Sequence, residues 1–379
     1  MLRYRRNGGI KFGCAVAGLA AVLLLGPKSS PGAEQKAGWQ TEWEKTLEAA
    51  KKEGQLNIEG SPVYEEVFRD FQKKFGIKVV IDTAPGGEKF KRVMTERRAG
   101  KYLWDVIMAG GATIYLFYKV NAVDPIKPTF ILPEVIDETH WWNKQHNYFE
   151  LERKYILNFN MAPLPFVAYN SRLVNPGEFK SYWDLLQPKW KGKIVAVDPT
   201  LGPRVDLHLA FLYSEPKLGP EYLRRLLADM DIVASRDTRQ VVDWLAGGRY
   251  AISFFASLTA ADLDTAKAQG LPIGWFGPKD LKEGVSTSPS NGSVGLLNRA
   301  PHPNAAKIAI NWLLSREGQI AYQKLQNGAN SLREDIPKDN VQSFALRTAE
   351  ASYAEPFSPE RTDMAPIQRL VNEAMKKKP

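Results

Sequence analysis

Between residues 55 and 110 strand-like and helix-like segments alternate at intervals that leave one arrangement open. QLNIE, IKVVID and DVIMA carry the short apolar pattern of strands. Between the first two, Tyr64, Val67, Phe68, Phe71 and Phe75 recur at helical spacing and Gly76 closes the run. Phe90, Val93 and Met94 mark a second helix, closed by Gly100. Strand–helix–strand units of this length make parallel strands with right-handed crossovers. The three strands therefore end on one edge of a sheet, at the exits GSP, TAPGG and GGAT. Small residues there leave room for a ligand and turn backbone N–H groups toward it. Ser61, Gly111 and Ala112 are the candidate binding residues of these exits.

The same pattern returns after residue 170. IVAV runs out at DPTLGP, YAISFF and LPIGWFG are strand-like, and 204–213, LRRLLADM, TRQVVDWLAGG and ADLDTAKAQG are helical. GSVGLLN then predicts a further strand, and PNAAKIAINWLLS and PIQRLVNEAMKKK predict amphipathic helices. Ahead of all this, Trp39, Trp43, Leu47 and Ala50 share one face of a first helix closed by Gly54. The fold class is α/β.

Residues 1–33 are of another kind. Arg3, Arg5, Arg6 and Lys11 precede the apolar run 13–26, and small residues follow in PKSSPGA, the order of a secretory signal peptide. The run falls short of the roughly 20 apolar residues that a membrane span needs. Removing 1–33 takes five of the 51 basic residues and none of the 42 acidic ones, so the net charge falls from +9 to +4. A nucleic-acid partner loses its electrostatic support. Cys14, the only cysteine, goes with the signal, so the mature chain has neither disulfide nor thiol catalyst.

Catalytic motifs are missing. His140, His146, His208 and His302 form no HExxH or close zinc spacing, NGSVG has the wrong spacing for a nucleophile elbow, and there is no phosphate loop or dinucleotide fingerprint. The histidines and Trp141-Trp142 read as packing or surface residues, and KWKGK as a solvated turn. Neither an enzyme, a cofactor nor a metal is expected.

Several phrases occur in a telling order: EWEKTLEAAKKEG, FRDFQKKFGIKV, VMTERRAGKYLWDVI, FVAYNSRLV, YWDLLQPKWKGKIVAVDP and PHPNAAKIAINWLLSREGQIAYQK. Over roughly residues 40–340 the chain resembles the bacterial extracellular solute-binding proteins of the ferric-ion-binding-like group. The resemblance implies a type II periplasmic binding fold with a ligand cleft between two lobes. It implies lobe 1 over 38–167 and 290–345, lobe 2 over 170–287, and a C-terminal helical segment, 346–379, packing on them. The chain would cross near 165–170, return near 288–294, and act as a periplasmic monomer that passes a small solute to an ABC transporter permease. Asp198 to Gly202 would wall the cleft opposite the GSP and GGAT exits.

In the ferric members adjacent tyrosines follow the strand equivalent to YAISFF. Here Phe254-Phe255 and Ala256-Ser257 supply no phenolate, which disfavours iron. Backbone N–H groups at helix starts, with Arg236 and Arg239, suit a carboxylate, phosphate or phosphonate. Phe254 and Phe255 are candidate apolar walls, and Tyr169, Thr200, Ser253, Ser290 and Asn291 candidate hydrogen-bonding groups. A polyamine or thiamine-like cation would use Asp198, Asp237 and Trp275 instead. An exported hydrolase and a sensory domain are the readings of other kinds. Export should shorten the chain by about 33 residues, measurable as the intact mass of the secreted protein; retention of the full mass would identify an uncleaved anchor.

Overall fold

The computed structural model describes residues 38–376 apart from 85, 165–166, 202, 327–328 and 355–361. The signal segment, Gly202 and the start of the expected crossing at 165–166 lie outside the described residues. Helices and mixed sheets alternate in two lobes, as expected of the fold class. In the first sheet, Lys78–Asp82, Gln55–Glu59 and Val106–Ala109 lie side by side and parallel, in the spatial order second, first, third. Ser293–Leu297 joins antiparallel to Val106–Ala109, and Ile156–Asn158 and Asn147–Tyr148 complete that side. The second sheet repeats the plan: Val233–Ser235, Ile194–Val197 and Ile252–Phe254 are parallel, again second, first, third. Val167–Asn170 joins them antiparallel, and Ile273–Trp275 pairs with it in turn.

In both sheets the antiparallel strand is the one that has just arrived from the other lobe. The outgoing strand Ala162–Pro163 and the returning strand Thr287–Ser288 pair as a two-stranded ribbon. Val167–Asn170 follows the first and Ser293–Leu297 the second. A strand that enters a parallel sheet directly, without a crossover helix, can only run antiparallel.

Each lobe buries its own apolar core. Phe68, Phe71, Trp312 and Tyr322 dominate the first and Tyr182, Leu212, Tyr222 and Leu226 the second, all essentially withdrawn from water. The predicted helix faces hold with one exception: in Gly38–Glu53, Ala50 is buried and Trp43 and Leu47 pack on the core, but Trp39 in the first turn is 38% exposed. The C-terminal helix Met364–Lys376 seats Ile367, Val371 and Ala374 in the second core.

Between the lobes, Asn160 is fully buried. Its Nδ2 donates to the Pro289 carbonyl at 3.0 Å and its Oδ1 accepts from the Asn330 N–H at 2.6 Å. It thus ties the outgoing connection to the returning one and to a third chain segment. A Cβ on Gly292 would lie 2.1 Å from that of Asn160, so only glycine permits this approach. Asn160→Leu strands a buried donor and a buried acceptor, each costing about 1–3 kcal/mol. A loss of about 2–6 kcal/mol in denaturant unfolding is expected; an unchanged midpoint would show that the tie carries no stability.

Candidate functional site

The parallel strands of each sheet end on one edge, and those edges carry the chain exits toward the other lobe. On the second lobe, Ile252–Phe254 ends at Phe255, whose φ of 60° is a left-handed conformation that a bulky residue rarely adopts. The distorted exit leads into the 3-10 turn Ala256–Thr259 and the helix Ala260–Ala268. On the returning connection Ser290 is also left-handed, with φ 51°. Backbone strain of this kind persists only where the surroundings impose it, and it clusters at binding sites.

Ser290 and the turn that follows Phe255 line a cavity of about 210 Å³. Ser257, Ala260 and Ala261 form its second-lobe side, and Pro163, Leu164, Ser288 and Ser290 its connection side, with Gln342 and Phe344 closing it. Hydroxyls, one amide, one aromatic ring and the amino end of a helix make up the lining. Ser257 Oγ lies 2.5 Å from His208 Nε2. The sequence showed no such set, since 49 residues separate the two. The pair resembles a nucleophile and its base, but complete burial brings the His208 imidazole down to about 3. An imidazole so weakly basic is a poor proton acceptor at neutral pH. It orients the serine hydroxyl.

The other sequence candidates fall in several places. Phe254 and Phe255 are fully buried in the second core, so they wall no cleft in this conformation: the pleat and the turn both send their rings inward. Ser253 is buried beside them. Tyr169 lies across Gly274, where a Cβ would strike its ring, and packs on Phe276. Gly111 is required by packing, since a Cβ there would enter the Phe149 ring; Ala112 is exposed beside it. Ser61 sits half-buried at the Gln55–Glu59 exit, and the Asn291 carbonyl accepts from Tyr64 Oη at 2.5 Å. Thr200 N and Oγ1 both donate to Asp198 Oδ1, while Arg236 Nε donates to Asp198 Oδ2 at 3.0 Å. Arg239 pairs with Asp243 along its own helix. Both arginines are more than two-thirds exposed. Of the candidates read from the sequence, Ser290 alone lines this cavity.

The first sheet's edge holds a charge cluster that periodicity does not reveal. Glu59 and Asp82 end neighbouring strands in register. Arg92 bridges both carboxylates, 2.5 Å from Glu59, and Lys89 donates to the Gly60 carbonyl at 2.6 Å while lying 3.8 Å from Glu59. Glu59 is nevertheless raised to about 7, because loss of hydration outweighs the attraction of Arg92 and Lys89. A carboxyl raised on folding takes up a proton, so its stabilising contribution is present near pH 5 and is lost as pH rises toward about 7. Glu59→Gln should flatten the fall in melting temperature between pH 5 and 8. A variant whose pH profile parallels the wild type would show that Glu59 is already ionised at pH 5.

Among the described residues no three His, Cys, Asp or Glu side chains stand together as a metal cage. The fold has many solved counterparts. The ferric iron-binding protein A of Mannheimia haemolytica, in an open conformation, superposes with a TM-score of 0.66 at 17% identity over 86% of this chain and 99% of that one. A Trichodesmium FutA in complex with iron and citrate gives 0.59 at 20% identity over 86% and 98%. AfuA of Actinobacillus pleuropneumoniae, with fructose-6-phosphate bound, gives 0.54 at 19% over 85% and 97%. At such identities these likenesses establish the two-lobe periplasmic-binding fold and leave the ligand open. The model of the bacterial extracellular solute-binding protein family matches residues 66–345, most of the chain. With its paired lobes, its linking ribbon and that match, the chain belongs to the bacterial extracellular solute-binding proteins.

Proposed function

We propose that this protein is the periplasmic receptor of an ABC importer and that it closes lobes 38–167 with 290–345, and 170–287, on a small organic anion. It would then dock, as a monomer, on a membrane permease. The observation that carries the ligand class is the cavity lining: serine hydroxyls from both sides at the amino end of Ala260–Ala268. Hydroxyls, with the positive end of the helix dipole behind them, complement a carboxylate, phosphate or phosphonate without a formal cation. A ligand that touches both lobes favours the closed state by its differential affinity, and closure is the signal a permease can sense.

The rival ligands meet specific obstacles. The strand exit that would carry the tyrosine pair of an iron binder holds Phe254 and Phe255, turned into the core. For a cation, the acids of this edge are already engaged: Asp198 accepts from Thr200 and Arg236, and Asp237 caps Thr238–Ala246 through the Arg239 and Gln240 N–H groups. Trp275 is covered by Lys267 Nζ, 4.1 Å from its ring centre, and by Phe344. Hydrolysis is disfavoured by the weakly basic His208.

The mature chain from Glu34, freed of ligand by reversible unfolding, should show a raised melting temperature with one carboxylate, phosphate or phosphonate. At a thousandfold excess over Kd the gain is about 4 kcal/mol, or roughly 2–4 °C per kcal/mol. Ala261→Trp, which fills the cavity, should abolish the shift, and the solute should be recovered unchanged. A shift with ferric iron alone, or with polyamines alone, would overturn the anion reading; a converted solute would overturn the binding reading.

A further inference from the structure

A second and larger cavity, of about 630 Å³, shares no lining residue with the first. Its walls come from the loop after Trp141, from Asn330–Lys338 and from the connection between Leu346 and Tyr353. Three cations line it: Lys144, which is exposed, and the partly buried Arg347 and Lys338. Arg347 donates to the carbonyls of Met161, Asn330 and Ser331, and its guanidinium stacks 5.1 Å from the Trp142 ring. Lys338 donates to the Ser331 carbonyl at 2.8 Å and to Gln323 Oε1 at 3.2 Å. Among the described residues neither is paired with a carboxylate: every bond they make is to a neutral oxygen.

Charge drawn out of water without a counter-charge is costly, and proteins ordinarily pair it. Burial, with Arg347 beside it, brings the Lys338 ammonium down to about 7, and the carboxylates of Glu334 and Asp335, outside ion-pair distance, offset this only in part. The walls also hold groups with unused bonding capacity. The Thr348 hydroxyl and Asn330 Oδ1 are buried without a partner among the described residues, and Glu334 stands exposed at the margin. Asn330 Oδ1 and Glu334 are acceptors, so they suit a hydroxyl on the ligand rather than its charge.

We propose that this cavity is a second ligand site, separate from the cleft, for a small anion that also carries a hydroxyl, such as a hydroxycarboxylate. Lys338 and Arg347 neutralise the anionic group, Trp142 and Tyr353 flank it, and Asn330 and Glu334 accept from the hydroxyl. Gln342 and Phe344, on the same chain segment, line the first cavity.

Calorimetric titration of the mature chain with malate, against succinate and inorganic phosphate at matched ionic strength, tests the site. Malate should bind, succinate should bind more weakly, and Ala261→Trp should leave both unchanged because it fills only the cleft. Lys338→Met removes one cation and Ala349→Asp supplies an internal carboxylate at an exposed wall position; each should weaken malate at least tenfold. Melting curves confirm that the variants are folded, and Ala349→Asp stands alone if Lys338→Met is not. Absence of malate binding, or binding indifferent to the folded pocket variants, overturns the site. Loss of malate binding in Ala261→Trp also overturns it, by placing the anion in the cleft, while the cleft reading survives. Equal binding of succinate would remove the hydroxyl from the ligand class.

Discussion

The architecture depends on how three chain segments pass one another between the lobes. A connection there must cross without a sheet's full ladder, and its backbone groups still need partners once water is excluded. Asn160 supplies two of them, bonding Pro289 on the returning segment and Asn330 on the third. Arg347 does the same from the other end, spreading its guanidinium over the carbonyls of Met161, Asn330 and Ser331. Gly292 permits the close approach of the Asn160 segment. These bonds hold the ribbon in register, and the register sets where each sheet receives its antiparallel strand. Both cavities are lined by residues of these connections, so the tie that joins the lobes also shapes what they can hold.

Desolvation is the second common thread. His208, Glu59 and Lys338 all have their charged forms disfavoured by burial, although Glu59 lies against two cations. Around the cleft cavity the outcome is a set of neutral, oriented hydrogen-bonding groups, which suits reversible binding better than proton transfer. In the larger cavity the outcome is the reverse: Lys338 and Arg347 make no ion pair among the described residues, and the neutral oxygens around them, with Glu334 farther off, offset only part of the cost.

Much of the fold was legible because apolar periodicity and small-residue punctuation act locally. Tyr64, Val67, Phe68, Phe71 and Phe75 announce their helix, and each parallel strand was bounded by its own glycines, prolines or acids. The antiparallel strands Ile156–Asn158 and Asn147–Tyr148 were not read, since two or three residues carry too little pattern. The candidate site was less legible. Arg236 and Arg239 were attractive as unpaired charges, and each found a neighbouring aspartate. Ser257 passed unnoticed because a serine in a short turn has no signal until a left-handed Phe255 aims it and His208 meets it.

By itself the sequence determined the α/β alternation, the common edge on which the strand exits lie and the absence of a tyrosine pair at the Ile252–Phe254 exit, because these follow from local spacing and residue chemistry. Only the tertiary structure decided that Phe254 and Phe255 face the core, that Ser257 and Ser290 share a cavity, and that Lys338 and Arg347 line another with no ion-pair partner among the described residues. Those facts rest on which distant segments exclude water from one another, and no local pattern encodes that.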